Sequence, residues 1–428
     1  MNDQAMALFG SRLRTARRMA GMSLEDLSGR IGGVVTRQAI SKYEKGRMMP
    51  SPEVFERLNS ALGVQPVPGS VAQSSTELQS PGAMSGLGMR KQFRLRRREL
   101  AHEWAPRTLF SRLAEEPDNV IESQRNHSVL EAPAPFLHPR PALDADSALG
   151  QIRFRGREKL AAKTAVALKL RVEDYVKRCL EVESVLGLEQ AFANPLAGRA
   201  VGTSADVETA ALDVRRAWDI GSAPVINLLG LLEEKGIRVF ELRGIEGFEG
   251  LSGNYGTGPF GESVPFITVN RDFPADRVRF TAAHELGHLL CGFPERESAE
   301  SLCHAFAGAL LLPRNAIERA LMPARRKISL WELKELKESY GISLQAIIYR
   351  ARSLGFVTAR QVRNFRETMK ANGWFVTEPV EYRGNEQASR LRRLLSYAVA
   401  ESIIAPERAA ALAGVTPTEF LGELGNVF

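Results

Sequence analysis

The stretch Phe280-Thr-Ala-Ala-His-Glu-Leu-Gly-His-Leu-Leu290 constrains this chain more than any other. On a helix of about 3.6 residues per turn, His284 and His288 fall on one face a turn apart, so both imidazoles can reach a single ion. Glu285 is turned roughly 100° from His284, where a carboxylate does not ligate the ion but can act as base toward water beside it. The flanking Phe280, Ala282, Ala283, Leu286, Leu289 and Leu290 make the segment apolar nearly all round, which predicts a buried helix. A His-Glu-His set is costly to bury there without a ligand. Gly287, between the histidines, predicts the close approach of another backbone.

A zinc that does chemistry keeps three protein ligands and one open position. The third is expected on the next helical stretch, Glu300-Ser-Leu-Cys-His-Ala-Phe-Ala-Gly-Ala-Leu-Leu-Leu-Pro313, which offers Glu300 and His304 on one face. Glu300 is assigned as ligand and His304 as the side chain that orients it, an order that recurs in zinc peptidases with two histidines and a glutamate. Glu295, Glu297 and His304 itself remain rivals for the third place. The oxyanion donor stays open among Tyr340, Tyr349 and His304. Cys291 and Cys303 lie near both metal segments and read as small buried hydrophobes rather than a redox brake.

The N-terminal stretch points to a different activity. Ser23 with Asp26 three residues on predicts a capped helix over Leu24–Ile31, Gly32-Gly33 break it, and Thr36 caps a helix over Arg37–Tyr43. Pro50 and Pro52 open another, over Glu53–Leu62, so residues 8–63 read as four or five short helices with helix-turn-helix architecture. Ala39, Ile40 and Tyr43 face inward; Arg37, Gln38, Ser41 and Lys42 face outward, with donors suited to base edges and phosphates. Thr36, Lys45 and Arg47 at the ends of that helix complete the expected DNA-contact set. Residues 1–63 hold 10 Lys and Arg against 6 Asp and Glu, a net +4 within a chain of net charge +7, which fits an anionic partner.

At 428 residues the chain is expected to form about three domains. Three cysteines, Cys179, Cys291 and Cys303, far apart except for the last two, argue against a disulfide scaffold and for a reducing cytoplasm. The N-terminus lacks a basic segment leading into an apolar core, and no apolar run reaches about 18 residues, so no membrane association is expected. Gln65 to Gly88 is rich in Pro, Gly, Ser and Gln and reads as a flexible tether. Met89 to Leu100 is a basic run suited equally to DNA phosphates or to a solvated helix face. Residues 115–150 read as irregular.

Between 153 and 190 the pattern is helical, with Ala161, Ala165, Leu168, Val172, Tyr175, Cys179, Val182 and Leu186 at four-three spacing. That stripe suits a homodimer seam or packing against the chain's own catalytic half. Helices are expected over 206–220 and 224–235, then a strand over Ile237–Leu242, a turn-rich stretch from Gly244 to Gly261, and a strand over Val264–Asn270 whose proline suggests a sheet edge. Such an edge is where a peptide substrate would add. Residues 329–428 read as mostly helical, with Trp331, Leu333, Leu336, Ile347 and Ile348 expected in the core.

Two resemblances rest on these residues. Leu27 to Ser51 (LSGRIGGVVTRQAISKYEKGRMMPS) resembles the XRE, or Cro/repressor-type, family, which implies operator binding; Leu24 stands where that family commonly has glutamine. Asp206 to about Tyr382 resembles the ImmA/IrrE-type metallopeptidases, through RFTAAHELGHLL, E..C..FA..LL.P, VPFITVN and GISLQAIIYRARSLG. His304 departs from that pattern, since a small amide is usual there. The resemblance implies a zinc-dependent, gluzincin-like fold with one zinc per chain, related to peptidases that cut DNA-bound repressors.

The expected fold is α+β and mainly α. It comprises an XRE-type helix-turn-helix domain (1–64), a linker and insert (65–152), a long helix (153–204), a zinc-peptidase domain with a small sheet (205–325) and a helical C-terminal region (326–428). The expected function is a cytoplasmic DNA-binding regulator whose endopeptidase domain cuts a repressor, a partner protein or itself. The alternative is an antitoxin-like DNA-binding regulator in which the zinc fold is a sensor or scaffold.

Overall fold

The computed structural model describes residues 3–62, 153–155, 160–188, 191–256, 263–294, 296–321 and 328–425. The tether, the basic run and the proline-rich stretch expected between 65 and 150 lie outside the described residues, as do Glu295 and the side chain of Glu297.

Four helices open the chain: α1 (Asp3–Met19), α2 (Leu24–Arg30), α3 (Arg37–Glu44) and α4 (Pro52–Ala61). Each of the last three starts at a side chain that caps it. Ser23 and Asp26 form a reciprocal capping box on α2, Thr36 accepts from Ala39 N on α3, and Ser51 accepts from Val54 N on α4. Phe9, Leu13, Leu27, Ile31, Ile40, Tyr43 and Leu58 close a small core of their own. Leu24 packs half-buried at its rim. Arg17 ties α1 to α3 through Glu44, at 2.6 and 3.0 Å.

Strand β1 (Arg153–Arg155) precedes the long helix α5 (Ala162–Leu186), which ends at Gly187. After it come α6 (Ser204–Ala217), α7 (Leu228–Glu234), β2 (Arg238–Leu242), β3 (Gly250–Tyr255), β4 (Val264–Asn270), α8 (Ala275–Leu290) and α9 (Arg296–Leu311). The C-terminal part adds α10 (Arg314–Leu321), α11 (Leu330–Tyr340), α12 (Leu344–Ser353), α13 (Ala359–Ala371), α14 (Arg390–Ala400), α15 (Pro406–Ala413) and α16 (Pro417–Leu424). Among the described residues no helix is long and apolar enough to cross a membrane.

The sheet runs β1-β3-β4-β2, with β4 antiparallel to β3 and parallel to β2. Three sequence expectations fail here. Residues 153–155 are strand, not the start of a helix, and the turn-rich stretch contains β3. Nor is β4 an edge: it lies inside the sheet, with Pro265 opposite Asn254 of β3. The ladder to β2 begins only at Phe266, so Pro265 has a strand neighbour on one side alone and needs no donor on the other. The edges are β1 and β2.

Both faces of the sheet are covered, which is why β4 is buried along its whole length. On one face Leu168, Val172 and Val176 of α5 pack on Leu251, Tyr255 and Phe266; on the other, α7 and α8 pack on Val239, Ile267 and Val269. The lower part of the α5 stripe, Cys179, Val182 and Leu186, packs on Leu395, Ala398, Leu412 and Phe420 of the C-terminal helices. The stripe is thus occupied by the chain's own sheet and tail, the second of the two readings made of it. The core around α8 continues past residue 325 to Val357, because Leu333, Leu336, Leu344 and Ile347 of α11 and α12 belong to it. Trp331 does not: it is 67 % exposed, on the face of α11 turned away from Leu333 and Leu336.

The N-terminal helices belong to one compact unit with the described residues from 153 onward. Arg171 of α5 donates to the Met19 carbonyl at the end of α1, at 3.0 Å, and Lys163 pairs with Asp26 at 2.7 Å.

Candidate metal centre

Helix α8 is fixed from three sides. Arg279 is fully buried and donates to the carbonyls of Val225 (2.7 Å) and Tyr340 (3.3 Å) and to the Glu386 carboxylate. Glu386 in turn accepts from Leu228 N and Leu229 N, at 3.0 and 3.2 Å, at the start of α7. Asp276, in the first turn, receives Lys337 Nζ at 2.7 Å. These bonds set the depth and rotation of the helix that carries His284, Glu285 and His288.

Helix α9 crosses that helix at Gly287. A Cβ there would lie 3.2 Å from Cys303 Sγ and 3.2 Å from Phe306 Cδ1, so the glycine permits the contact that brings Glu300 beside the histidines. The two Glu300 carboxylate oxygens stand 3.2 Å from His284 Nε2 and 3.1 Å from His288 Nε2. Both imidazoles are buried, whereas the Glu300 side chain is 66 % exposed. The hydrogen bond from His284 holds the Glu300 carboxyl down to about 2; partial burial opposes this, and the positive ends of His288 and His304 add to it.

His304 lies one turn beyond Glu300, and its Nδ1 is 2.9 Å from the Glu300 backbone carbonyl, not from the carboxylate. Its ring meets His284 edge-on, with centroids 4.5 Å apart. Of the other side chains considered for the oxyanion, Tyr340 directs its hydroxyl to the Ser222 carbonyl, at 3.5 Å, and Tyr349 is on the exposed side of α12. The thiols of Cys291 and Cys303 are buried, and burial pushes that of Cys291 up to about 12.

Glu285, next to His284 in the chain, is held from the sheet. Ser252 of β3 donates to its Oε2 at 2.7 Å. The strand approaches this closely because Gly250 has no side chain: a Cβ there would lie 2.5 Å from Thr281 Cγ2 and 3.5 Å from Glu285 Cγ. Sequence reasoning missed Ser252, since the strand that carries it was read as turn.

Chemically, two imidazole nitrogens and a carboxylate from two adjoining helices form a donor set for a divalent ion of the zinc class, with a buried carboxylate beside it. Among the described residues, two groups bring one ligand atom each within 4.8 Å of one another: His284 with Glu300 and His304, and His284 with His288 and Cys303.

On the N-terminal helices, Arg37, Gln38 and Lys42 of α3 are exposed, as are Thr36, Lys45 and Arg47; Ser41 is half-buried. Arg37 pairs loosely with Glu25, at 3.7 Å. The α1 contact with α5 leaves this face open.

Residues 232–352 match the model of the IrrE N-terminal-like domain family, and residues 13–68 match a helix-turn-helix family. The chain therefore joins an XRE-type helix-turn-helix domain to an ImmA/IrrE-type peptidase-like domain, the architecture of a DNA-binding regulator. Peptidases of this kind are typically metal-dependent. No curated protein matches the chain.

Proposed function

We propose that this protein is a cytoplasmic, DNA-binding transcriptional regulator whose second domain is a zinc endopeptidase, acting on a repressor, another protein partner or the regulator itself. The observation that carries the reading is the Glu300 carboxylate, 3.2 and 3.1 Å from Nε2 of His284 and His288. Two nitrogens and a carboxylate are the protein donor set of catalytic zinc in several peptidases, and they suit one ion per chain. Such an ion would act as Lewis acid toward the scissile carbonyl and acidify the attacking water.

The chain's own residues account for the proton. Glu285, oriented by Ser252, takes it from the water as oxygen adds to the peptide carbon, and returns it to the amide nitrogen as the C–N bond breaks. His284 and His288, both buried, keep bulk solvent from the base and hold the donor set in shape. Toward the N-terminus, Arg37, Gln38 and Lys42 present donors to base edges and phosphates, flanked by Thr36, Ser41, Lys45 and Arg47. A homodimer would let two such helices read paired half-sites.

The second reading, a regulator in which the metal centre senses rather than cuts, is favoured by His304, an imidazole held beside the donors. Incubating the zinc-loaded chain with its own N-terminal domain and with neighbouring repressor proteins separates the two. Cleavage that is lost in Glu285→Gln, with zinc retained at about one per chain, is the expected result. Full proteolysis by Glu285→Gln would overturn the base assignment, and undiminished zinc in His284→Ala the ligand assignment.

A further inference from the structure

His304 has no task in the reaction just described, yet it is built into the same cluster. Its Nδ1 stands 2.9 Å from the Glu300 backbone oxygen. A carbonyl oxygen only accepts, so Nδ1 carries the proton, and in the neutral ring Nε2 carries the lone pair. Histidines that ligate metals are usually arranged this way, one ring nitrogen donating to a backbone carbonyl or carboxylate and the other turned to the ion. The ring is bounded on two sides, by His284 at 4.5 Å between centroids and by Phe280 at 5.9 Å. One ligand atom each from His284, Glu300 and His304 already lies within 4.8 Å of the others. Donors on a tetrahedron with bonds of about 2 Å are roughly 3.3 Å apart, so these three atoms lie within about 1.5 Å of that spacing.

We propose that His304 is a fourth side chain of the donor set, competing with solvent for the position that a catalytic centre leaves open. This rests on the reading of the centre as a divalent-metal site. Glu300 and His304 are its exposed members, whereas His284 and His288 are buried, so the imidazole stands on the side from which a peptide must arrive. With His304 in the set the centre is closed and the regulator is at rest. When Nε2 leaves and solvent takes its place, one donor replaces another and no net charge moves, and the centre is open. Cys303 also lies close to His284 and His288, but its sulfur packs at Gly287 inside the helix contact and not at the mouth.

The test uses the full chain loaded with cobalt(II) and with zinc. In His304→Asn, zinc affinity measured against a chromophoric chelator is expected to fall about tenfold or more. The visible cobalt spectrum is expected to move from the intense bands of a closed four-donor site to the weaker bands of a solvated one. His304→Gln, read the same way, keeps the test decisive if the asparagine variant melts early. Equal affinity and identical spectra in the original chain and both variants would overturn the proposal while leaving the three-ligand centre standing. Failure of the original chain to bind either metal would overturn the metal reading itself, and this proposal with it.

Discussion

Ser252 on β3 and Glu285 on α8 are joined by a 2.7 Å hydrogen bond in which both side chains are buried. Toward an ionised carboxylate a hydroxyl can only donate, so the bond aims Glu285 in the form in which it would act as base. Hydrogen bonds to charged groups contribute about 1.5–3 kcal/mol. Ser252→Ala is therefore expected to lower kcat roughly ten- to a hundredfold. Zinc content and KM are expected to change little, and steady-state kinetics with metal analysis check this split.

Glu300 is largely exposed, so its loss should leave the fold intact. Glu300→Gln keeps the shape but removes the charge and the second anionic oxygen. The variant is expected to melt within a few degrees of the original when both are metal-free, yet to lose zinc to a chelator far faster. Equal retention under chelator competition would count against Glu300 as a ligand.

Burial raises the Glu233 carboxyl to about 7, against the opposing bonds from Ser389 N and Arg390 N at 2.8 and 2.9 Å. The folded chain thus holds a proton there that the unfolded chain, with an ordinary carboxyl near 4.5, releases. The stability this gives is complete below about 4.5 and is lost as pH rises through about 7, at no more than about 1.4 kcal/mol per pH unit. Both backbone bonds converge on Oε2, so glutamine can keep them. In Glu233→Gln, thermal melts between pH 5 and 8 are expected to show a flatter decline than in the parent chain.

Arg37, Gln38 and Lys42 are solvent-facing, so alanine at each should leave the melting temperature unchanged. Loss of a base-reading side chain is expected to cost about 1–3 kcal/mol and relax specificity at one position. Loss of a phosphate contact weakens binding across sequences and reduces the salt slope by about 1. Gel shifts across a salt series distinguish the two.

What could be read without coordinates was whatever is decided locally. The four-residue spacing of His284 and His288, the caps at Ser23 and Thr36 and the glycine at 287 depend on a single turn of helix or on one missing side chain. That Glu300 lies beside the two histidines was legible because it opens the helical face next along the chain. Strand β3 was not, since Gly250 and Gly253 resemble turn residues. Gly250 is explained by Thr281 and Glu285, which approach it from another element. Pro265 followed a sound rule to the wrong place, because the β2 ladder starts one residue later. The α5 periodicity announced a buried stripe without naming what buries it. Ser252 carries no signal in a single sequence, for its only distinction is to lie opposite Glu285.

Glu386 stands well beyond residue 352, where the peptidase-like match ends, yet it is the counter-charge to the fully buried Arg279. A fragment trimmed to that match would strand a guanidinium in an apolar interior, a loss on the order of 3–5 kcal/mol, comparable to the whole stability of many domains. The peptidase-like part of this chain is accordingly not a portable cassette, and its far tail is a structural tenant of the site.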